Sequence, residues 1–168
     1  MPLARHLVPT IVAALAFAGI AAAARAAPAT VKVTFANPAQ FNDDDFRYRY
    51  TPAERTAAVA ELTRHIQRAA QSLLKPGQSL QVEILDLTRA GIYNPLHGNA
   101  ANVRILKDTT PPRIVLHYRL TGGGPAQGGR EVLTDSNYLM NPSARFSGDR
   151  FVYEKALLDD WLRRIAAR

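Results

Sequence analysis

The sequence predicts an α+β fold, a two-layer sandwich in which two helices cover one face of a mainly antiparallel sheet. Several segments alternate apolar and polar residues, which is typical of strands that are buried on one side only. Two other segments repeat apolar residues at helical spacing. The predicted order is β-α-β-(β)-β-β-α. A doubly wound parallel sheet is disfavoured, because its strands would be apolar on both faces.

The composition fits a single domain and excludes several chemistries. The chain has 168 residues, of which 47% are hydrophobic, and no cysteine. These values are typical of one globular domain, which we place at residues 27–168. Without cysteine the chain can form no disulfide, thiolate zinc site or iron–sulfur cluster, and it has no cysteine nucleophile. The sequence predicts no cofactor and no metal site.

Residues 1–26 have the three-part pattern of a cleaved export signal. A short basic start is followed by an apolar run from Leu7 to Ala24, which ends in the small-x-small sequence Ala24-Arg25-Ala26. A membrane anchor is the alternative, but the run is rich in alanine and ends in a cleavage site. We therefore expect a soluble periplasmic protein that starts near Ala27. It would have no membrane span after cleavage and, lacking cysteine, no lipid anchor.

Five strands are predicted, at residues 31–35, 80–87, 103–107 (short and optional), 113–120 and 130–134. The fourth alternates most clearly. Its inward residues are predicted to be Ile114, Leu116, Tyr118 and Leu120, and its outward residues Arg113, Val115, His117 and Arg119. The Gly-rich stretch at residues 121–129 is predicted to be the tip of a hairpin. It is a poor phosphate-binding loop, because it joins two strands and no Gly-Lys-Ser/Thr follows.

Two helices are predicted, and the first has the clearer start. Thr51-Pro52-Ala53-Glu54 combines an N-cap, a proline at the first helical position and the glutamate of a capping box, and Lys75-Pro76-Gly77 ends the helix. The second runs over about residues 150–166. Each helix is predicted to carry local ion pairs one turn apart, Glu61 with Arg64 and His65, and Asp159 and Asp160 with Arg163 and Arg164.

The distribution of charge suggests one candidate binding surface. The formal net charge is +7, and loss of residues 1–26 would leave 19 basic and 14 acidic residues. Residues 87–130 hold six basic residues and one acidic residue, which accounts for the whole remaining excess. The outward residues Arg113, His117 and Arg119 form the candidate anion- or partner-binding site. Its predicted partner is an anionic envelope component, such as an acidic glycan or lipid headgroup, or an acidic protein. Nucleic acid is disfavoured for an exported domain without a recognised motif. The alternative is that these charges only solvate the sheet.

Catalytic and metal-binding residues are harder to identify. Asp43-Asp44-Asp45 could bind a hard cation, but consecutive loop residues cannot all point at one ion, and neighbouring Arg and Tyr side chains could neutralise them. His65 is predicted to be a surface residue on the polar side of the first helix. His97 lies in a long loop, where it could act with Asp86, Asp108 or Asp135. We therefore predict a non-enzymatic binding or envelope-assembly domain, with a small hydrolase or isomerase that uses His97 as the alternative. No complete catalytic constellation is present in the sequence.

Three blocks in the second half of the chain resemble one family. They are Pro111-Pro112-Arg113-Ile114, the stretch from Leu133 to Leu139, and the stretch from Tyr153 to Trp161. Together with Val33-Thr34-Phe35 and the first helix, they are similar to the exported bacterial family called domain of unknown function 3016. The resemblance implies an exported protein of Gram-negative bacteria and brings no activity, cofactor or catalytic residue.

The second block contains two polar candidates, Asp135 and Asn137. Their side chains could bind a ligand, but they are also typical of a turn at a strand end, where they satisfy local backbone N–H groups. Tyr138, Leu139 and Trp161 are predicted to lie in the core.

Overall fold

The computed structural model describes residues 27–93, 104–144 and 146–168, and it confirms the α+β fold. The proposed export signal lies outside the described residues. The strands are β1 (Thr30–Phe35), β2 (Ser79–Thr88), β3 (Ile92–Tyr93), β4 (Arg104–Ile105), β5 (Arg113–Thr121) and β6 (Gln127–Thr134). The helices are a one-turn π-helix (Asp45–Arg49), α1 (Pro52–Leu73) and α2 (Val152–Ala166), with short 3₁₀ turns in the connecting segments. None of the helices in the described ranges is long and apolar enough to cross a membrane.

The main sheet has four strands in the order β1-β2-β5-β6. It is mixed, because β1 runs parallel to β2 while the other two pairs are antiparallel. Helix α1 connects β1 to β2, since parallel neighbours need a crossover connection. Strands β5 and β6 form the predicted hairpin around the Gly-rich stretch. The optional strand is β4, which pairs with β3 in a separate two-stranded sheet.

Burial alternates along the central strands, as the sequence predicts. Ile114, Leu116, Tyr118 and Leu120 are buried, whereas Arg113, His117 and Arg119 are exposed. Val115 lies on the outward side of β5, as predicted, but it is buried, unlike the other outward residues of this strand. In β2 the register shifts between Ile84 and Asp86, which marks a bulge at Leu85. The bulge brings Leu87 into the core opposite Ile114.

A single cluster of buried side chains joins both helices to one face of the main sheet. It includes Leu62 and Ile66 from α1, and Leu158, Trp161 and Ile165 from α2. The Trp161 ring packs edge-on against Tyr118 of β5, with 5.4 Å between centroids. Trp161 and Tyr138 are fully buried, which agrees with their predicted core positions, whereas Leu139 is only half-buried and is not among the buried core residues.

The start of α1 is confirmed in atomic detail. The Glu54 backbone N–H donates to Thr51 Oγ1 (3.2 Å), and the Thr51 N–H donates to Glu54 Oε2 (2.8 Å). Both contacts of a capping box are therefore present.

The local ion pairs predicted along the helices were mostly wrong. Glu61 accepts hydrogen bonds from Lys155 (2.7 Å) and Arg150 (3.0 Å), and His65 Nε2 lies 2.7 Å from Asp159 Oδ1. Asp160 pairs with Arg163 one turn away, and Arg164 lies 3.6 Å from Glu131 of β6. The reason is that α1 and α2 lie against each other, so that partners on the other helix compete with those one turn away.

Candidate anion-binding site

The exposed face of the main sheet, here called the outer face, carries basic side chains from three strands. Strand β5 supplies His117 and Arg119, whose exposure the alternating pattern predicted. The strand register adds Lys32 from β1 and Arg130 from β6, and both are exposed. Neither residue was predicted as part of the site, although Arg130 lies in the basic 87–130 segment, because local periodicity does not say which strands are neighbours.

The register arranges these residues in rows across the sheet. One row runs Lys32–Gln81–Arg119–Gly128, and the next runs Thr34–Glu83–His117–Arg130. Neighbouring strands are about 4.8 Å apart, so the backbones of Lys32 and Arg119 are separated by about 10 Å. The two long cationic side chains can therefore reach one ligand from opposite sides.

A shallow depression of about 380 Å³ lies on the outer face. Its lining is polar apart from one valine, and comprises Lys32, Thr34, Gln81, Val82, Glu83, His117 and Arg119. The Thr34 hydroxyl donates to the Val82 carbonyl (3.4 Å). The other polar side chains of the lining are directed by their strands toward the exposed side.

The cations of the outer face differ in whether they have an acidic partner. Lys32, Arg119 and Arg130 make no ion pair with another residue of the described ranges. Arg113, in contrast, lies 3.3 Å from Asp86 Oδ2. Asp86 also accepts hydrogen bonds from the backbone N–H of Asn42 (2.8 Å) and from its side-chain amide (2.7 Å). The candidate site is therefore centred on Arg119 and Lys32, and Arg113 belongs to a structural ion pair.

A second group of charges is here called the buried ion cluster and comprises three buried residues, Asp43, Asp45 and Arg89, together with the partly buried Arg104. Asp45 Oδ2 accepts hydrogen bonds from Arg89 and from Arg104 Nη1 (3.1 Å). Asp43 Oδ2 accepts from the Arg89 backbone N–H (2.8 Å). Burial raises the pKa of Asp43, and the charges of Arg104 and Arg89 oppose that rise. Two of the six basic residues in the 87–130 segment thus neutralise acids inside the protein and are not available on its surface.

The aspartate triplet that contributes to this cluster does not act as a unit. Asp43 and Asp45 are buried and Asp44 is exposed. Their main partners are the distant arginines, with Arg49 a weaker local partner of Asp45 at 3.4 Å. Among the residues that the structure describes, no group of three or more His, Asp or Glu side chains is placed to hold a metal ion.

The residues considered for catalysis are dispersed or already engaged. His97 lies outside the described residues, and Asp108 is exposed in a turn after β4. Asp135 accepts a hydrogen bond from the Asn137 backbone N–H (2.8 Å), which is the predicted turn contact. His65, predicted to be a surface residue on the polar side of α1, is half-buried, and its Nε2 contacts Asp159 of α2. Sequence reasoning could not find this pair, because its members are far apart along the chain.

These features define an α+β protein whose candidate site is an open, basic sheet face. Residues 29–164 match the model of the family described as "Protein of unknown function (DUF3016)". The chain belongs to this family, which confirms the resemblance carried by the sequence blocks. No curated protein matches the chain.

Proposed function

We propose that this protein is exported to the periplasm and binds an anionic component of the cell envelope on its outer face, without catalysing a reaction. The observation that carries the proposal is the group of three exposed cations, Lys32, Arg119 and Arg130, that no acidic side chain of the described residues neutralises. Unpaired charges on one face attract ligands of opposite sign. The open depression between Lys32 and Arg119 offers such a ligand a place to bind.

The export step rests on the pattern of residues 1–26 and has its own test. N-terminal sequencing of the protein from a periplasmic extract is expected to start at or near Ala27. Recovery of a chain that starts at Met1 or Pro2 would contradict this part of the proposal.

The alternative of a hydrolase or isomerase is favoured by no observation in the described ranges. Two of the three carboxylates proposed to assist His97 have structural partners. Asp86 binds Asn42 and Arg113, and Asp135 binds the Asn137 backbone. A general base must itself be oriented by a third group, and these carboxylates are engaged elsewhere.

The binding proposal is tested by removing two charges from the outer face. We expect Lys32→Ala combined with Arg119→Ala to weaken binding to heparin at low salt by about 10-fold, since exposed charge contacts contribute up to about 1 kcal/mol each. The measurements are the dissociation constant of each variant for heparin at a fixed low salt concentration and the salt concentration at which it elutes from immobilised heparin.

The matched control is Arg64→Ala combined with Arg68→Ala. It removes the same net charge from exposed positions on α1. The control should elute close to the wild-type protein. If the two double variants elute at the same salt concentration, binding depends on net charge alone and the outer face is not the site.

A further inference from the structure

The depression on the outer face is not uniformly basic. Glu83 lies in its lining, between Thr34 on β1 and His117 on β5, and its side chain is exposed. Glu83 makes no ion pair or side-chain hydrogen bond with another described residue. An ionised carboxylate can only accept hydrogen bonds. A ligand that displaces the solvent around Glu83 is therefore favoured if it brings hydrogen-bond donors to this carboxylate.

The adjacent row has the opposite requirement. Lys32 and Arg119 carry positive charge and can only donate hydrogen bonds, whereas Gln81 between them can donate and accept. A ligand above this row is favoured if it carries a negative group and further acceptors. The volume of about 380 Å³ is within the range of small-molecule sites.

These two preferences disfavour simple ligands. Sulfate, or a polyanion without hydroxyl groups, satisfies Lys32 and Arg119 but places negative charge beside Glu83 with nothing to donate. A neutral sugar can donate to Glu83 but leaves both cations without a counter-charge. An acidic sugar satisfies both rows, because its ring carries hydroxyl donors and an anionic group at a distance of a few ångströms.

We propose that the outer face recognises an acidic saccharide, with its anionic group bound by Lys32 and Arg119 and its hydroxyl groups donating to Glu83. This inference rests on the proposed function and deepens it, because it names the class of ligand. Glu83 would accept hydrogen bonds from the hydroxyl groups of the saccharide. A surface that bound anions by charge alone would not need this residue, since an acidic side chain there weakens the attraction for any anion.

The test compares two polycarboxylates that differ in their hydroxyl groups. Oligogalacturonate carries a carboxylate and hydroxyls on each unit, whereas polyacrylate of similar charge has carboxylates only. We expect Glu83→Val to lower the affinity for oligogalacturonate relative to that for polyacrylate by about 10-fold, because charge-assisted hydrogen bonds are lost. Affinity for polyacrylate itself should rise, since a like charge is removed.

Two further variants keep the test decisive. Glu83→Gln retains the size of the side chain and one acceptor oxygen, so the affinity ratio should fall less but in the same direction. Asp44→Ala removes an exposed acid elsewhere and should leave the ratio unchanged.

An unchanged ratio in both Glu83 variants, with tighter binding of both polymers, would overturn the inference and leave the proposed function standing. If the wild-type protein binds neither polymer, or if loss of Lys32 and Arg119 has no effect, the proposed function itself fails.

Discussion

At Asp43 and Asp45 the structure requires an aspartate, whereas the position between them is open to solvent. The two residues flank Asp44, which is exposed, yet both carboxylates are buried among arginines. Arg104 links the buried ion cluster to the backbone, since Nη2 donates to the carbonyl of Gly91 (2.7 Å) and Nε donates to that of Ala90 (2.9 Å). The planar guanidinium makes these contacts together with the contact to Asp45. A lysine at position 104 could not reproduce this geometry.

Asp45→Asn should destabilise the fold strongly. The substitution keeps the shape of the side chain but leaves the charges of Arg89 and Arg104 without their main partner, and breaking a buried ion pair in this way costs about 3–5 kcal/mol. The measurement is the free energy of unfolding in urea. Asp44→Asn is the control at the exposed neighbour, which makes no side-chain cap contact, and it should change stability by less than about 0.5 kcal/mol. Equal effects of the two substitutions would contradict a structural role for the cluster.

The positions of single side chains could be predicted from the sequence only where local periodicity decides them. Alternation along β5 correctly predicted that His117 and Arg119 are exposed, because successive side chains of a strand point to opposite faces. It gave no information on Arg89 and Arg104, whose acidic partners are brought near by tertiary structure. The charge excess of residues 87–130 therefore overstated the basic surface, while Lys32, outside that segment, was overlooked.

At the scale of elements, the helix α1, the strands of the main sheet and the β5–β6 hairpin could be predicted, whereas the pairing of β1 with β2 and of β2 with β5 could not. The start of α1 is encoded in the four residues that begin at Thr51, and these form the predicted capping box. The parallel pairing of β1 with β2 depends on how α1 packs across the sheet. This packing cannot be predicted from a local sequence pattern. The bulge at Leu85 was also not predicted, although the alternation changes phase there, since the inward residues before it are Leu80, Val82 and Ile84 and the next is Leu87.

The charged side chains of α1 and α2 make contacts between the two helices. Lys155 of α2 donates to Glu61 of α1 and also binds Asp149, which precedes α2 in the chain. Partial burial raises the pKa of Glu61, but the hydrogen bonds and charges of Lys155 and Arg150 outweigh it and hold the pKa below its usual value of 4.5. This contact therefore contributes stability near neutral pH and loses it as the pH falls below about 4.5.

For the molecule as a whole, the free energy of unfolding depends on pH through Glu154 of α2 in the direction opposite to that of Glu61. Glu154 is buried, Oε1 accepts a hydrogen bond from the Ala90 N–H (2.7 Å), and Oε2 has no hydrogen-bond partner among the described residues. Burial raises the pKa of Glu154 above its usual value of 4.5, against the effect of the Ala90 N–H and of Arg89. Above pH 4.5 the unfolded chain releases this proton and the folded chain retains it. Stability therefore falls as the pH rises through the range between the two pKa values.

Glu154→Gln should remove this part of the pH dependence. The amide keeps an acceptor for the Ala90 N–H and cannot ionise, so the free energy of unfolding of the wild type should decline relative to the variant as the pH rises above about 4.5. Urea unfolding at a series of pH values measures the difference. The control is Glu54→Gln at an exposed carboxylate whose pKa the Thr51 contacts lower, and it should add no slope above about pH 5. Parallel curves for the wild type and Glu154→Gln would show that Glu154 does not titrate differently in the two states.

The buried ion cluster also bears on how the chain folds. Its acids precede α1, its arginines follow β2 or belong to β4, and the neighbouring Glu154 comes from α2. A partly assembled form that enclosed Asp43 and Asp45 before the arginines arrived would hold uncompensated charge in an apolar interior, which costs several kcal/mol per ion. Such intermediates are disfavoured relative to both the unfolded and the native states. The same residues that make the interior sensitive to substitution thus favour a cooperative, all-or-none transition.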